Sequence, residues 1–290
     1  MSIHYDSHSI QPGAGIRATR GERAKYTISS SDAPELLAAA RQMASARRVP
    51  EALDLYERLI EIYPQIGIEV LAEVYNVYKL LPEDRYSLYQ ARHFDFGISS
   101  GDKVLDVGSG HHPFPLATHL AEFAINDDSY GRAGIPFKVV EGKPVTECSV
   151  EKMPFGDKEF DFVYCSHVLE HVGSPENACR ELMRVAKAGF LETPNRGKDL
   201  FLNTARISNH RWKVEYEIGR LIFTEYREAE IDGLSCGLLM DMNVNPQTAR
   251  EQAFSALMLL KSDQLNTMLM WEERFSFEVR RLDGSIFLQL

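Results

Sequence analysis

Apolar and polar residues follow three different patterns along the chain. Residues 1–31 are mostly polar and show no periodicity, which predicts a flexible arm. Residues 32–95 carry apolar side chains at helical spacing and predict a helical N-terminal extension. In residues 96–290, short apolar runs alternate with helical segments, which predicts an α/β domain built on a parallel sheet. The predicted helices of the extension begin near Ser31 or Asp32 and near Pro50, and two more span residues 67–80 and 83–94.

A strand followed by a glycine turn stands at the start of the α/β domain. Residues 104–107 form a short apolar run interrupted by Asp106, and Gly108 and Gly110 follow at once. Glycine has no Cβ and tolerates positive φ, so backbone N–H groups there can approach a ligand closely. The segment from Pro113 to about Leu120 has helical spacing and is predicted to be a helix. The sequence therefore predicts a nucleotide-type site at the end of the first strand.

The second predicted strand, residues 123–129, ends in two acidic residues. They lie about 20 positions beyond the glycine turn, where doubly wound folds place a carboxylate for ribose hydroxyls. Asp127 is the first candidate for this contact and Asp128 the second. A dinucleotide fingerprint would need a third glycine where Pro113 stands, which disfavours a nicotinamide-dependent oxidoreductase.

The glycine turn and a later segment together resemble class I S-adenosylmethionine-dependent methyltransferases. An acid followed by Gly-x-Gly, as at Asp106, resembles motif I of that family, which often has a third glycine at the position of His112. Residues 148–172 resemble the family pattern Asp-Ala-Glu-x-Leu-Pro-Phe, then Phe-Asp-x-Val for strand four and Val-Leu-Glu-His-Val for the helix after it. The resemblance covers about residues 103–195.

This resemblance implies a fold and a set of cofactor contacts. The implied fold is α/β, with a doubly wound, mostly parallel sheet of seven strands, in which residues 189–195 form strand five. A hairpin around Asp283 and Gly284 is predicted to supply antiparallel strands six and seven. The implied cofactor is S-adenosylmethionine. Its predicted contacts are Asp106, Gly108, Ser109, Gly110, Asp127, Asp128, Ser149, Val150, Glu151, Cys165 and Ser166.

The interval of residues 196–262 is longer than a crossover helix requires and is interpreted as a substrate cap inserted into the catalytic domain. Apolar runs on either side of Glu217-Ile-Gly219 predict a hairpin within it. Methyl transfer to oxygen benefits from a base, and histidine suits that role at neutral pH. His210 in the cap and His167 after strand four are the leading candidates, with His171 ranked behind them.

The first two helices of the extension resemble a single tetratricopeptide hairpin. One repeat does not make a stable solenoid, so the pair is interpreted as packing on the catalytic domain, with partner binding as the alternative. In related methyltransferases a helix just before the first strand helps to cover the cofactor. Tyr86, Tyr89 and Arg92 are therefore further candidates.

The composition and charge of the chain disfavour several classes of function. The net charge of −10 and the isoelectric point near 5.4 oppose nucleic-acid binding. The four cysteines form no C-x-x-C pair, and the chain start lacks the features of a signal peptide, so a reduced cytoplasmic setting without membrane attachment is expected. Glu192 and Asn195 are too few ligands for a metal-dependent catechol methyltransferase, so no metal is expected.

The leading hypothesis is methyl transfer to a small-molecule or sugar-containing acceptor, at oxygen, with a histidine as general base. A homodimer is compatible with the sequence. Two alternatives stay open: an N-methyltransferase of a natural-product pathway, and a cofactor-binding scaffold that recruits a partner through its helical N-terminus.

Overall fold

The computed structural model describes residues 32–80, 85–127, 132, 134–202, 209–228, 230 and 237–290. The predicted flexible arm and Asp128 lie outside the described residues. In the described residues no helix is long and apolar enough to span a bilayer.

The N-terminal extension is helical, as the apolar spacing predicts. Its helices are α1 (Ala33–Ser45), α2 (Val49–Ile62), α3 (Ile68–Tyr78) and, after a π-helical turn at Tyr86–Gln90, α4 (Ala91–His93). Pro34 and Pro50 lie in the first turns of α1 and α2, where the missing N–H costs no hydrogen bond. On α2, Ala52, Tyr56 and Leu59 are buried, so the buried face of this helix has the helical spacing that the sequence predicts.

The remaining described elements alternate between strands and helices. The strands are β1 (Val104–Val107), β2 (His119–Glu122), β3 (Val145–Glu147), β4 (Phe160–Ser166), β5 (Ala186–Pro194), β6 (Trp212–Glu217), β7 (Arg220–Glu225), β8 (Asn266–Glu272), β9 (Ser276–Arg280) and β10 (Ile286–Gln289). The helices are α5 (Pro175–Val185), α6 (Arg196–Leu202), α7 (Gly237–Val244), α8 (Ala249–Leu260) and α9 (Ser262–Leu265).

The main sheet confirms the mostly parallel α/β architecture. Its order is β3-β2-β1-β4-β5-β8, with the first five strands parallel and β8 antiparallel to β5. The carboxyl ends of β1 to β5 therefore meet along one edge, where doubly wound folds bind their ligands. Within the described residues this sheet has six strands, not the seven that the resemblance implies.

A second sheet accounts for that difference. The predicted C-terminal hairpin forms as β9 and β10, but β9 pairs in parallel with β7 rather than joining the main sheet. The predicted hairpin of residues 212–225 also forms, as β6 and β7. The second sheet has the order β10-β9-β7-β6 and packs with α5 in one apolar core beneath the main sheet.

Two predicted helices are wrong. Residues 113–118 form turns, and β2 already begins at His119, so no helix separates β1 from β2. The residue before a proline disfavours the helical region, and Pro113 and Pro115 place two such residues in this short segment. Residues 168–172 also form a turn; the next helix, α5, starts where Ser174 caps it by accepting a hydrogen bond from Asn177 N at 3.4 Å.

The other face of the main sheet is aromatic. Phe96, Phe114 and Tyr164 stack there with Phe162 and Phe190. The N-terminal helices form a third apolar cluster, which also includes Ala256 and Leu260 of α8. Part of the segment that the sequence assigns to a substrate cap therefore packs on the N-terminal extension.

Candidate active site

The turn after β1 is shaped by two glycines with positive φ. Gly108 has φ of 71° and Gly110 has φ of 52°. A Cβ added to Gly108 would lie 2.3 Å from Cγ2 of Val168, in the turn that follows β4. Only glycine lets these two turns come this close. The glycine turn therefore forms one wall of the site at the strand edge, the edge of the sheet where the carboxyl ends of β1 to β5 meet.

Asp106 holds this wall in place. Its side chain is 1% exposed, and its Oδ2 accepts a hydrogen bond of 2.7 Å from Phe114 N. Burial raises the pKa of the Asp106 carboxyl to about 7, although the Phe114 amide opposes this shift. The predicted cofactor residue thus lies at the predicted place, and its visible contact is with the loop backbone.

Glu122, at the end of β2, is an acid that the sequence analysis missed. Its Oε2 accepts a hydrogen bond of 2.9 Å from Gly110 N, so the carboxylate adjoins the glycine turn. Asp127, the predicted ribose ligand, is exposed five residues further along. Because β2 starts earlier than predicted, the strand-end position falls to Glu122. The sequence carried a signal for Glu122, because this carboxylate directly follows the apolar residues Leu120 and Ala121.

The hydroxyl of Ser109 lies in the glycine turn, is buried, and has no hydrogen-bond partner among the described residues. A buried hydroxyl without a partner costs free energy, so its place in this loop points to a ligand that supplies one. The amides of Gly108 and Gly110 already donate to Ala121 O and Glu122 Oε2, so the Ser109 hydroxyl and the Glu122 carboxylate are the groups that fit a ligand with hydroxyl or ammonium groups.

The predicted residues after β3 border the same edge. Ser149 Oγ accepts a hydrogen bond of 3.1 Å from Glu151 N, and Val150 is buried in the apolar core. The Glu151 side chain reaches the turn after β4, where its Oε1 accepts a bond of 2.7 Å from Gly173 N. Glu151 therefore joins the β3 and β4 loops, and Ser149 is the polar group of this set at the strand end.

The last two predicted cofactor residues point in different directions. Cys165 is 1% exposed and its side chain lies in the apolar core shared with α5. Ser166 is buried on the opposite side of the strand, and its Oγ donates to Glu192 Oε2 at 3.3 Å. The Cys165 thiol thus packs in the core, and Ser166 belongs to a polar cluster centred on Glu192.

Glu192, in β5, is fully buried and collects donors from the N-terminal extension. Tyr89 donates its hydroxyl to Oε1 at 2.7 Å, and Gln90 Nε2 donates to Oε2. Burial by itself would raise the pKa of this carboxyl, but the neighbouring His167 and the positive charge of Lys198 hold it at about 2. Glu192 is therefore an anion at the centre of the strand edge.

His167 occupies the end of β4 in a strained conformation. Its φ is 58°, an uncommon value for a residue other than glycine. Its Nε2 lies 3.4 Å from Glu192 Oε1, and its Nδ1 lies 3.3 Å from Glu170 Oε1. Strained residues of this kind cluster at functional sites, and here the strain places an imidazole between two buried carboxylates.

The other two candidate histidines lie beyond Glu170. His171 Nδ1 is 2.9 Å from the backbone oxygen of Asn209, and the His171 and His210 rings are 4.7 Å apart. His210 Nδ1 is 3.0 Å from Asp199 Oδ1, on α6. Burial lowers the pKa of His210, but Asp199 and Glu170 raise it overall. The structure thus gathers all three predicted histidines around one buried glutamate.

Several members of this cluster were missed as site residues: Glu170, Glu192, Lys198, Asp199 and Tyr226. Lys198 is half-buried, its Nζ lies 2.7 Å from Asn266 Oδ1, and the loss of hydration lowers its pKa to about 8. Glu192 carried a signal in the sequence, because it is a carboxylate within the apolar strand Gly-Phe-Leu-Glu-Thr. Asp199 and Tyr226 carried none, since only the tertiary fold brings them to His210.

Comparison with known proteins agrees with the geometry of the cofactor side. Residues 105–191 match a family described as "Methyltransferase domain". Over 110 residues the chain is 36% identical to a sterol 24-C-methyltransferase, ERG6B, of Gibberella zeae, covering 33% of this chain and 27% of that protein. Over 116 residues it is 32% identical to a ubiquinone biosynthesis O-methyltransferase of Pseudomonas putida, covering 36% of this chain and 49% of that protein.

Among solved structures, a putative methyltransferase from Bacillus halodurans is similar with a TM-score of 0.31 and 23% identity, over 39% of this chain and 52% of that one. The chain spans between about a quarter and a half of the length of the two curated relatives. The matched region contains β1 to β4, α5 and most of β5, and it ends one residue before Glu192.

Proposed function

We propose that this chain transfers a methyl group from S-adenosylmethionine to an oxygen atom of a small-molecule acceptor, because residues 105–191 match a methyltransferase domain. The names of the relatives support a small acceptor, since one acts on sterols and another in ubiquinone biosynthesis. Of these, the ubiquinone enzyme is an O-methyltransferase. A sugar-containing acceptor stays a prediction.

The cofactor side supplies a distinct group for each part of the ligand. The Ser109 hydroxyl in the glycine turn would hold the amino-acid portion, Glu122 the ribose hydroxyls, and Ser149 the adenine edge. S-adenosylmethionine supplies a methyl group bonded to a positively charged sulfur. This charge makes the methyl carbon open to attack by an oxygen atom of the substrate. The chain contributes alignment and the exclusion of water, because methyl transfer is an in-line displacement.

The observation that carries the oxygen acceptor is the position of His167. Its imidazole lies at the carboxyl end of β4, next to the cofactor wall at Val168 and between the buried carboxylates of Glu170 and Glu192. Two carboxylates fix the ring orientation and stabilise the imidazolium that forms when a proton arrives. We assign His167 as the base that would take the acceptor's hydroxyl proton while the oxygen–carbon bond forms and the carbon–sulfur bond breaks, with S-adenosylhomocysteine as the leaving group. His171 and His210 lie beyond the Glu170 carboxylate, further from the cofactor wall than His167.

The experiment combines cofactor binding with turnover. Calorimetric titration of the full chain should show saturable binding of S-adenosylmethionine and S-adenosylhomocysteine and none of NAD. Transfer of labelled methyl groups is then screened on small hydroxyl acceptors that include a quinol and a sterol. The His167→Gln variant should lose about 10²- to 10⁴-fold in turnover, the usual contribution of a general base. Its affinity for S-adenosylmethionine should change less than about threefold, which is under 0.7 kcal/mol.

The matched control is His119→Gln, because His119 lies at the start of β2 and contacts Thr118 and Phe160 rather than the strand edge. That variant should keep wild-type turnover. If His167→Gln also turned over within tenfold of wild type, His167 would not be the base. Failure of the wild-type chain to bind either sulfur compound would overturn the proposed function itself.

A further inference from the structure

Glu170 is a buried carboxylate that the described residues leave without a hydrogen bond of good geometry. Its side chain is 1% exposed, and neither carboxylate oxygen accepts such a bond from the part of the chain that the structure describes. The imidazole nitrogens of His167 and His171 lie 3.3 and 3.8 Å from Oε1. A buried carboxylate without good hydrogen bonds is costly and calls for a positive partner.

Two imidazoles face this carboxylate. Glu170, His171 and His210 each offer one ligand atom, and these atoms lie within 4.8 Å of one another. Ligands at 2.0–2.2 Å from a tetrahedral zinc ion are about 3.3 Å apart, so modest side-chain rotation would bring all three to one ion. Two histidines and one glutamate are a ligand set of catalytic zinc sites, which keep a fourth position open.

The outer contacts of both histidines match what metal ligands need. His171 Nδ1 lies 2.9 Å from the Asn209 carbonyl oxygen, so Nδ1 donates there and Nε2 is directed to Glu170. His210 Nδ1 lies 3.0 Å from the buried carboxylate of Asp199, whose other oxygen accepts from the Tyr226 hydroxyl at 2.9 Å. A carbonyl or carboxylate on the outer nitrogen fixes the tautomer in which the inner nitrogen binds a metal.

The backbone also fixes the two segments that carry the ligands. The Glu170 carbonyl oxygen accepts bonds from Arg211 N at 2.7 Å and from Trp212 N at 3.1 Å. Trp212 Nε1 donates to the Val172 carbonyl oxygen at 2.7 Å in the core. These bonds clamp the turn after β4 to the start of β6 on both sides of the cluster. The three ligands are therefore positioned by rigid contacts rather than by chance proximity at a surface.

We propose that Glu170, His171 and His210 bind a divalent transition metal ion of the zinc type. His171 and His210 are partly exposed, at 24% and 11% of their side chains, which leaves a route for the ion and for a fourth ligand. The ion would lie beside His167, and its open position would hold the acceptor's oxygen and favour loss of its proton to His167. This role of the ion rests on the proposed function, whereas the binding of the ion does not.

Metal binding is tested directly on the full chain. After dialysis against a chelator, the wild-type protein is titrated with Zn²⁺ by calorimetry and with Co²⁺ by visible absorption, which reports low-coordinate cobalt. One equivalent should bind, and Zn²⁺ should displace Co²⁺ and abolish the spectrum. His171→Ala and His210→Ala should each weaken Zn²⁺ binding by about 100-fold or more, and Asp199→Asn by about 10- to 100-fold, the range for outer contacts.

The control is again His119→Gln, which removes a histidine outside the cluster and should bind Zn²⁺ like wild type. Folding of every variant is checked by thermal unfolding and by S-adenosylmethionine binding. Should an alanine variant fail to fold, Glu170→Gln replaces it, because it keeps the shape of the side chain and removes the charge. No saturable binding of Zn²⁺ or Co²⁺ by wild type, or equal binding by the ligand variants, would overturn the proposal. Because S-adenosylmethionine binding is measured separately, either result leaves the proposed function to its own test.

Discussion

On the side proposed to bind the cofactor, the groups assigned to the ligand come from one stretch of the chain, residues 106–151, and most are glycines and short polar side chains. On the acceptor side, the groups come from the π-helical turn, the ends of β4 and β5, α6 and the segment before β6, and most are charged. The buried carboxylates of the two sides differ in the number of their hydrogen-bond donors and in the direction of their pKa shifts. Asp106 is buried with one amide partner, and its pKa rises to about 7. Glu192 is surrounded by donors, and its pKa falls to about 2.

This contrast shows two ways of binding a ligand. A surface of glycines and backbone amides can be encoded by a short local motif, because its shape follows from a strand and a turn. A charged cluster needs partners from several elements, because each buried charge must be neutralised where the fold places it. The match to the methyltransferase domain, residues 105–191, contains the glycine turn together with His167 and Glu170 and ends before Glu192, Lys198 and Asp199.

The largest effect is expected for the glycine turn. Gly108→Ala would place a Cβ 2.3 Å from Val168 Cγ2 and force φ of 71° on a residue that disfavours it. We expect the free energy of unfolding to fall by about 3 kcal/mol or more, the sum of left-handed strain and overpacking. Binding of S-adenosylmethionine should weaken by about 100-fold or more, equal to 2.7 kcal/mol. Calorimetry and urea unfolding measure both effects.

The matched control is Gly142→Ala, since Gly142 also has positive φ, of 77°, but nothing lies within 4 Å of its added Cβ. It should cost about 1–2 kcal/mol from the backbone alone. It should leave cofactor affinity unchanged. Equal effects of the two variants on affinity would refute the role of close packing at Gly108.

The second effect is expected for Asp106, because its replacement by asparagine should stabilise the chain by an amount that depends on pH. The pKa of Asp106 in the folded chain is about 7, above its ordinary value of 3.8, so the folded state holds the proton more tightly than the unfolded state. Stability conferred by this group therefore falls as pH rises from about 4 to about 7 and stays low above that. Asp106→Asn removes the charge and should stabilise the chain at pH 8 by about 2–4 kcal/mol, since one pKa unit is about 1.4 kcal/mol.

Urea unfolding of both proteins at pH 5 and pH 8 gives this difference, which should shrink at the lower pH. The same variant should bind S-adenosylmethionine more weakly, because the loop loses its anionic anchor. Asp161→Asn is the control of opposite sign: Lys187 and the Lys103 amide lower the pKa of Asp161, so its removal should not stabilise the chain at pH 8. A destabilised Asp106→Asn at pH 8 would contradict the prediction.

The smallest effect tests the acceptor side. Tyr226→Phe removes the hydroxyl that donates to Asp199 Oδ2 at 2.9 Å and leaves a buried carboxylate oxygen with one donor fewer. We expect a loss of about 1–2 kcal/mol in stability, with unchanged S-adenosylmethionine binding. Tyr216→Phe on β6 is the control, because the Tyr216 hydroxyl makes no hydrogen bond with the described residues, and it should change stability by less than about 0.5 kcal/mol. If Tyr226→Phe lost no more stability than Tyr216→Phe, the Tyr226 hydroxyl would not stabilise the Asp199 carboxylate.

The sequence predicts the elements that depend on local pattern. The N-terminal helices, the β6–β7 hairpin and the Asp283-Gly284 hairpin all form as expected, because apolar spacing and turn residues act over a few positions. The helix predicted after Gly110 failed because its apolar spacing was weighted above Pro113 and Pro115. That error moved β2 and transferred the strand-end acid from Glu122 to Asp127.

The rest depends on pairing between distant segments, which periodicity does not encode. The C-terminal hairpin has the strand pattern expected of a main-sheet hairpin, yet β9 pairs with β7 in the second sheet. Likewise, His210 is visible in the sequence as a candidate, but its partner Asp199 and its neighbour His171 are brought to it only by the clamp between Glu170 and the start of β6.

The π-helical turn at Tyr86–Gln90 sets a limit on how this protein can be divided. Tyr89 and Gln90, two successive residues of that turn, are both buried and both donate to Glu192. A recombination event or an expression plasmid that kept only residues 105–191 would discard Glu192 together with Tyr89 and Gln90. Any transfer of this buried cluster to another protein must therefore carry the segment before β1 as well as the end of β5, although the two are far apart in the gene.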